Sequence, residues 1–306
     1  MKYLVTGGAG FIGSHLVDDL LDSGHEVLVI DDLSAGAPEN LRVDGRCQLL
    51  TRKVQDTELR LDEGIDGVFH LAAQSSVPLS VEDFFNSSAN NVLSTLKVFS
   101  WARELGVPVV YASSSAVYGE LAEGDDTSDA THLISPYAVD KLTMEQYAAM
   151  AWELYGVPSV GLRFFNVYGP RQDPNSPYSG VISVFIKRVN GGDVVTVNGG
   201  YQTRDFVYVN DAVRIAVRSM SILATRPVCE RVNVCTGRAT TISALLDAVV
   251  DIIGKTPTVE TRELPPGDPE KSSGTWEKMC EMFSIPLDDF TRLERGLGET
   301  IGGSNG

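Results

Sequence analysis

Two hydrophobic patterns alternate along the first half of the chain: short continuous apolar runs, and longer stretches in which apolar residues recur every three or four positions. The short runs predict strands and the longer stretches predict helices. The predicted strands are YLVT (3–6), EVLVI (26–30), CQLL (47–50), GVFHLA (67–72), VPVVYAS (107–113) and PSVGLRF (158–164). Strands that alternate with helices pair through crossover connections, so the pattern predicts a parallel sheet with both faces covered.

Three of the predicted helices stop at a glycine, the usual C-terminal signal. They run from FIGSHLV to Gly24, from NVLSTLK to Gly106 and from YAVDKLT to Gly156. The second half is less regular. It predicts strands RDFVYV and RVNVC, helices from Asp211 to about Leu223 and through TISALLDAVVDIIG, terminal helices near 275–283 and 288–300, and loops at NVYGPRQDPNSPYSG and PPGDPEKSSG.

Composition narrows the class of protein. The 306 residues are 43% hydrophobic and 22% charged, which is typical of a soluble globular protein, and the formal net charge is −16. Such an acidic chain does not favour nucleic acid or an anionic membrane as a partner. The four cysteines form neither a C-x-x-C pair nor a Cys/His cluster, so we expect core thiols and no metal. With neither a signal-like segment nor a membrane-length apolar run, we expect a cytoplasmic protein.

The segment TGGAGFIGSH lies between the first predicted strand and the first predicted helix. Gly8, Gly10 and Gly13 fit G-x-G-x-x-G, and Gly7, Gly10 and Gly13 fit the related G-x-x-G-x-x-G. Glycines at this spacing let the backbone approach a pyrophosphate, and the helix N-terminus offers it free N–H groups. Asp31 ends the second strand, 18 residues after Gly13, where a carboxylate binds an adenosine ribose diol and repels a 2′-phosphate. The pattern therefore predicts NAD, and not NADP, as the cofactor.

The segment SPYAVDK places Tyr137 and Lys141 four residues apart, on one face of a predicted helix. An ammonium group beside a phenol stabilises the phenolate. A tyrosine pKa near 10 must fall by about 3 pH units for a base at neutral pH, which takes roughly 4 kcal/mol. The spacing alone also fits a surface tyrosine and lysine on an amphipathic helix, so it predicts catalysis only together with other motifs.

The order of the motifs is more specific than any one of them. The glycine turn is followed by SSSAVYG, by Y-x-x-x-K about 25 residues later, and then by RFFNVYGPRQ and TRDFVYV. With this order, from residue 3 to about 300, the chain resembles the extended short-chain dehydrogenase/reductase family, specifically its nucleotide-sugar epimerases and dehydratases. The resemblance implies an α/β fold: a Rossmann-type doubly wound parallel sheet with a smaller C-terminal α/β substrate domain.

The resemblance also implies roles for individual residues. Tyr137 would be the catalytic base, Lys141 would hold the nicotinamide ribose and lower the tyrosine pKa, and Ser114 would hydrogen-bond the reacting oxygen of the sugar. The other implied cofactor contacts are Gly7, Gly10, Phe11, Ile12, Gly13, Asp31, Asp32, Leu71, Ala72, Ala73 and Asn91. The implied substrate contacts are Ser114, Ser115, Asn166, Arg204 and Ser272. His70 is expected to lie at a sheet end beside the cofactor and not to act as a general base.

A missing carboxylate decides which reaction the resemblance implies. Ser115 and Ala116 stand where family dehydratases carry an Asp-Glu pair and where family decarboxylases carry a Glu. Neither side chain can donate a proton at C6 of the hexose or remove one from its C5. The reaction is therefore expected to stop at reversible oxidation at C4, which is 4-epimerase chemistry through a 4-keto sugar. Because the sugar must turn, the diphosphate must be the anchor, and Arg204 stands at the family's diphosphate-binding position.

Three positions depart from the family pattern. Pro265 stands where a second phosphate-binding Arg is usual, so either Arg262 reaches in or the diphosphate is held more weakly. Arg52-Lys53 replaces a Gly-Asp whose Asp contacts adenine. Ser272 is small where members restricted to plain hexoses carry a bulky Tyr, so it favours N-acetyl hexosamines.

The sequence thus predicts an NAD-dependent UDP-hexose 4-epimerase acting on UDP-glucose and UDP-galactose, on their N-acetyl forms, or on both. We expect an NAD-binding domain over 1–165 with a return segment at about 205–235, and a nucleotide-sugar domain over 166–204 and 236–306. The resemblance also implies a homodimer through helices at 91–105 and 137–155. Two alternatives stay open: a related enzyme acting on another nucleotide sugar, such as UDP-glucuronate or a dTDP-sugar, and a non-catalytic NAD-binding regulator.

Overall fold

A computed structural model describes residues 1–59, 64–174, 180–264 and 268–303. Its strands are β1 (Lys2–Thr6), β2 (Glu26–Asp31), β3 (Cys47–Thr51), β4 (Gly67–His70), β5 (Val109–Ser114), β6 (Ser159–Phe164), β7 (Asn166–Tyr168), β8 (Val195–Asn198), β9 (Thr203–Tyr208), β10 (Cys229–Val234), β11 (Ala239–Thr241), β12 (Val259–Arg262) and β13 (Lys271–Ser272). Its α-helices are α1 (Phe11–Asp22), α2 (Val77–Glu82), α3 (Phe84–Ser88), α4 (Ser94–Leu105), α5 (Pro136–Tyr155), α6 (Val181–Gly191), α7 (Val209–Leu223), α8 (Ile242–Ile253), α9 (Glu277–Phe283) and α10 (Leu293–Gly303).

Seven strands form one sheet in the order β3-β2-β1-β4-β5-β6-β10. Strand β1 pairs in parallel with β2 and β4, β2 with β3, and β4 with β5. The strand order reverses at β1, which is the doubly wound arrangement, and it places the carboxyl ends of β1, β4 and β5 side by side. A core cluster joins Leu4 and Val68 of the sheet with Trp101 of α4 and Met144 of α5. The predicted Rossmann-type α/β fold is confirmed.

Backbone packing divides the chain into two compact units. Unit 1 contains Met1–Val117, Ser135–Arg163 and Val213–Val232, and unit 2 contains Tyr118–Ile134, Phe164–Ala212 and Asn233–Gly306. In unit 2, β9 pairs with β7, β11 and β13, and β8 pairs with β12. Tyr118–Ile134 groups with unit 2 although it lies within the range predicted for NAD binding. The assignment of NAD to one domain and the nucleotide sugar to the other stays a prediction.

Local signals set the ends of the main helices in unit 1. Helix α5 begins at Pro136, after Ser135, whose side chain caps the helix by accepting a hydrogen bond from the Ala138 N–H at 3.2 Å. Helices α4 and α5 end at Gly106 and Gly156, which adopt φ of 68° and 67°. Only glycine enters this left-handed region without strain, so both helices stop where the sequence predicts.

Several predicted elements differ from the structure. The predicted loop at NVYG begins with strand β7, because backbone pairing with β9 overrides its loop-like composition. The strand predicted over 67–72 ends at His70, and the last helix begins at Leu293 instead of 288, after a 3₁₀ turn at Leu287–Asp289. In the described part of the chain, no helix combines the length and apolarity needed to cross a bilayer.

Candidate active site

The turn between β1 and α1 has the close backbone contacts that only glycine permits. Gly7 has a φ of 71°, and a Cβ there would lie 2.6 Å from the backbone nitrogen of Ala72. A Cβ on Gly13 would lie 2.1 Å from the Gly7 carbonyl oxygen. A Cβ on Gly10, the N-terminal residue that caps α1, would lie 3.3 Å from the same oxygen. A Cβ on Gly8 would lie 2.8 Å from Val29 Cγ1, so both glycine spacings are close-packed, and they leave a bare backbone surface at the start of α1, where Phe11 and Ile12 begin the helix.

A segment that sequence reasoning did not single out covers this turn. The Ala37 N–H donates to the Ala9 carbonyl oxygen at 3.0 Å, and the Asn40 side-chain amide donates to the same oxygen at 2.9 Å. A Cβ on Gly36 would lie 2.8 Å from the Ala9 carbonyl carbon. The small residues of SAGAP, which follow Leu33, were the available signal for this close approach.

Asp31 lies at the end of β2 and is held by two backbone amides. Its carboxylate accepts hydrogen bonds from the N–H groups of Ala9 and Leu33, both at 2.9 Å. Burial raises the pKa of the Asp31 carboxyl, and these two amide donors counteract the rise. Each oxygen keeps one acceptor position, which fits a ribose diol. Asp32 differs, because one of its oxygens already accepts from the amide and the hydroxyl of Ser34.

Arg52 and Lys53 follow β3, and a backbone hydrogen bond joins Arg52 to Asp31. The Arg52 N–H donates to the Asp31 carbonyl oxygen at 3.0 Å, and the side chains of Arg52 and Lys53 are exposed. The structure shows no contact through which Lys53 replaces the absent adenine-binding Asp, so that departure from the family pattern stands.

The next residues predicted to contact the cofactor follow directly after strand β4. The Leu71 N–H donates to the Thr6 carbonyl oxygen at 3.0 Å and the Ala72 N–H to the Thr6 hydroxyl at 3.3 Å, and Ala73 is half-buried beside them. His70 is fully buried. Its two ring nitrogens lie 2.7 Å from the Thr6 hydroxyl and 3.1 Å from the Thr95 hydroxyl.

His70 cannot serve as a general base near neutral pH. Burial, together with the positive charge of Lys141, lowers the pKa of His70 to about 3. The ring is therefore neutral, and both of its nitrogens are occupied by threonine hydroxyls. This geometry agrees with the expectation of a sheet-end residue.

Asn91 has a buried side chain that the protein itself uses. Its Oδ1 accepts from the Gln74 N–H at 2.8 Å, and its Nδ2 donates to the Gln74 carbonyl oxygen at 3.1 Å and to Asp140 Oδ2 at 3.0 Å. Asn91 thereby fastens the segment after β4 to helix α5. A direct contact between Asn91 and the cofactor stays a prediction.

Ser114, Tyr137 and Lys141 meet where β5 ends beside the start of α5. The Ser114 side chain lies near enough to the Tyr137 phenol to lower its pKa. Lys141 Nζ donates to the Ala112 carbonyl oxygen at 2.7 Å and lies 5.5 Å from the centre of the Tyr137 ring. We call these three side chains the catalytic corner, after the role that the sequence predicts for them. Ser115 follows in a 3₁₀ turn at Ser115–Tyr118, half-buried.

Burial dominates the electrostatics of the catalytic corner. It raises the pKa of the Tyr137 phenol, which the nearby Ser114 side chain lowers and the charge of Asp140 raises further. It lowers the pKa of Lys141 to about 8, against the opposite effect of Asp140 and Glu145. In the protein by itself the phenol is thus less acidic than free tyrosine, so it needs further positive charge nearby to act as a base at neutral pH.

The predicted substrate residues of unit 2 cluster around β9. Asn166 Nδ2 donates to the Asp205 carbonyl oxygen at 3.1 Å, and Arg204 donates to Asp268 in an ion pair. Ser272 of β13 is in register with Arg204. Arg262 is exposed and pairs with Glu260 at 3.6 Å. The Pro265 position lies outside the described residues.

Comparison with known proteins identifies the family. The model of the NAD dependent epimerase/dehydratase family matches residues 3–235. The UDP-glucose 4-epimerase of Mycolicibacterium smegmatis is 37% identical over 264 residues, 83% of each chain. Two solved structures are similar over nearly the whole length of both chains: the UDP-N-acetylglucosamine 4-epimerase of Methanobrevibacter ruminantium in complex with UDP-N-acetylmuramic acid (35% identity, TM-score 0.93, 99% of this chain and 98% of that one) and the UDP-glucose 4-epimerase of Thermotoga maritima with UDP-glucose (34% identity, TM-score 0.91, 100% and 99%). The chain therefore belongs to the NAD-dependent epimerase/dehydratase family, as an enzyme whose cofactor is NAD.

Proposed function

We propose that this enzyme is a UDP-hexose 4-epimerase that acts on UDP-glucose and UDP-galactose and on their N-acetyl forms. The observation that carries the proposal is the buried contact of Ser114 with Tyr137 beside Lys141, followed directly by Ser115 and Ala116. This corner offers groups that move a proton at one hydroxyl and, at the two positions that follow Ser114, no carboxylate that could drive elimination or decarboxylation.

The residues of the chain have separate tasks in this reaction. The glycine turn holds the pyrophosphate of NAD, Asp31 holds the adenosine ribose, and Lys141 holds the nicotinamide ribose. When bound at these residues, NAD would supply the hydride acceptor and donor for C4 of the sugar. Tyr137 takes the proton of the 4-hydroxyl and gives it back to the keto oxygen, while Ser114 holds that oxygen by a hydrogen bond. The lowered pKa of Lys141, about 8, still leaves an ammonium at neutral pH.

The carboxylates nearest in sequence to the catalytic helix residues are committed elsewhere. Asp140 accepts from Asn91, and Glu145 accepts from Arg163 at 2.6 and 2.8 Å and from Ser113 at 2.5 Å. A carboxylate held in this way is a poor proton donor at a sugar carbon. Their engagement supports a reaction that stops at the 4-keto sugar and reverses.

Arg204 is the proposed anchor for the diphosphate, since its planar guanidinium fits two phosphate oxygens. Its pairing with Asp268 means that this ion pair must open when the diphosphate binds. Ser272 lies beside Arg204 on β13 and leaves room for an N-acetyl group. The relatives solved with UDP-glucose and with UDP-N-acetylmuramic acid support both kinds of sugar.

Proton NMR of the NAD-loaded protein tests the proposal. UDP-glucose and UDP-N-acetylglucosamine are supplied separately, and the anomeric signal of the galacto product should appear in both samples. Turnover only of UDP-glucuronate or of a dTDP-sugar would replace the proposed substrate. No turnover of any nucleotide sugar, with NAD bound, would favour the non-catalytic regulator.

The proposed homodimer rests on an apolar face formed by α2, α3 and α5 and the turn before α4. We define this apolar face by side chains that are at least half exposed: Val81, Phe84, Phe85, Leu93, Met150 and Leu154. A partner subunit that covers these side chains would remove their apolar surface from water. Light scattering should give twice the chain mass, and the double variant Phe85→Glu/Leu154→Glu should give the monomer, whereas Val43→Glu, at a fully exposed loop position, should not. A monomeric wild type would overturn the dimer.

A further inference from the structure

Helix α5 makes a third contact with β5, next to the catalytic corner. Glu145 lies four residues after Lys141 and eight after Tyr137, so the three side chains share one face of the helix. Tyr137 lies beside Ser114, Lys141 bonds the Ala112 carbonyl, and Glu145 accepts from the Ser113 hydroxyl at 2.5 Å. The helix thus meets three consecutive residues at the end of one strand.

The neighbouring strand holds Glu145 in place. Arg163 of β6 donates from Nε to Oε1 at 2.8 Å and from Nη2 to Oε2 at 2.6 Å. The Arg163 side chain is 1% exposed and that of Glu145 is 6% exposed. A two-pronged pair of this kind, shielded from water, has one preferred geometry, and removing one partner would leave a buried charge.

We infer that Glu145 is a positioning residue: through Ser113 and Arg163 it sets how far α5 slides along β5, and so how well the Tyr137 phenol meets the Ser114 hydroxyl. Ser113 and Ser114 are consecutive residues at the end of β5, so the contact of Ser113 with Glu145 bears directly on where Ser114 lies relative to α5. A shift of the helix along the strand would change both the distance and the angle between the Tyr137 phenol and the Ser114 hydroxyl. A misplacement of about 1 Å can cost about a hundredfold in rate.

Ser113→Ala is the variant that isolates this effect. It removes one hydroxyl but leaves Glu145 paired with Arg163, so no buried charge loses its partner. The matched control is Ser159→Ala on β6, another fully buried strand serine, whose hydroxyl faces the Cys229 sulfur at 3.6 Å and does not contact α5. Ser113→Thr restores the hydroxyl.

The inference rests on the proposed epimerase function, so the experiment measures both turnover and how firmly the start of helix α5 is held. With the NAD-loaded protein, Ser113→Ala should lower kcat about tenfold while KM for the UDP-sugar and bound NAD stay unchanged. Amide hydrogen exchange in peptides covering 136–146 should quicken at least threefold. Ser159→Ala should lower Tm about as much as Ser113→Ala does, but it should change neither kcat nor the exchange rate. Ser113→Thr should recover at least half of the wild-type kcat.

The outcomes separate the two ideas. Equal kcat and equal exchange in Ser113→Ala and Ser159→Ala would overturn the positioning role, as would a loss of kcat that Ser113→Thr does not restore. A wild type without turnover would defeat the proposed function alone, because hydrogen exchange would still show whether Ser113 and Glu145 hold the start of α5.

Discussion

The catalytic corner of unit 1 and the surroundings of Arg204 in unit 2 are built differently. Tyr137 and Lys141 are 9% and 2% exposed, and the protein itself engages the phenol and the ammonium. Around Arg204, the Asp268 side chain is 41% exposed, and that of Arg262 is 66% exposed. The groups of the catalytic corner already contact one another in the protein, while Arg204 would have to exchange Asp268 for the proposed diphosphate. The Arg204 side chain is itself only 11% exposed, so the difference lies in the neighbouring groups, which are buried around Tyr137 and exposed around Arg204.

Tyr137→Phe, a substitution in the catalytic corner, is expected to have the largest effect on turnover. The ring still fills its place, but the proton-carrying oxygen is gone, so kcat should fall by about 10³-fold. Bound NAD and the affinity for UDP-sugar, measured by calorimetry, should stay near wild type. Tyr3→Phe, which removes a phenol from β1 of the same unit, should turn over normally. Turnover of Tyr137→Phe within tenfold of wild type would remove the phenol from its role.

Gly13→Ala sharpens the comparison within unit 1. The new Cβ would lie 2.1 Å from the Gly7 carbonyl oxygen, so the turn has to open. NAD affinity should weaken about 100-fold, or roughly 3 kcal/mol, while UDP binding to unit 2 is retained. Gly45→Ala, where a Cβ meets nothing within 4 Å, is the matched control. Wild-type NAD affinity in Gly13→Ala would show that the turn is less rigid than its contacts indicate.

The sequence predicts the glycine turn and the catalytic corner because their signals are local. Glycines at fixed spacing, a Ser-Pro helix start and a tyrosine four residues before a lysine lie within short windows. The contacts that hold the corner are not local: Ser113 and Glu145 are 32 residues apart, and Glu145 and Arg163 are 18 apart. No periodicity links such positions, so the positioning role of Glu145 became visible only in the folded chain.

Short elements were missed for a related reason. Helix α2 is only six residues long and depends on Ser76, whose hydroxyl accepts from the Leu79 N–H, and α3 depends in the same way on Asp83. Windows of this length show no helical periodicity. Strands β8 and β12 stabilise each other through parallel pairing between distant segments, which the sequence pattern does not reveal.

A pH experiment contrasts buried and exposed histidines. Because the pKa of His70 falls from 6.5 to about 3 on folding, only the unfolded chain binds this proton between those values. Stability from this group is complete above pH 6.5 and is lost as the pH falls towards 3, by about 2 kcal/mol at pH 5. Urea unfolding at pH 8 and pH 5 should show this difference shrink in His70→Asn but not in His132→Asn, whose side chain is 51% exposed. Equal pH dependence in wild type and His70→Asn would mean that the buried ring takes up its proton without cost.

The smallest expected effect concerns Arg204 and Arg262 of unit 2. It decides whether Arg262 takes the place of the phosphate-binding Arg that Pro265 replaces. Arg204→Lys keeps the charge but loses the planar two-pronged contact, so KM for the UDP-sugar should rise about tenfold, or roughly 1.4 kcal/mol, with kcat little changed. Arg262→Lys should change KM by less than about twofold, because its exposed guanidinium already pairs with Glu260 and such surface pairs are weak. Steady-state kinetics of the two variants measure this directly.

A KM that rises equally in both variants would mean that Arg262 leaves Glu260 for the diphosphate and takes the place of the absent Arg. A KM that rises only in Arg204→Lys would mean that one arginine anchors the diphosphate, which is the second alternative that Pro265 leaves open, a diphosphate held more weakly.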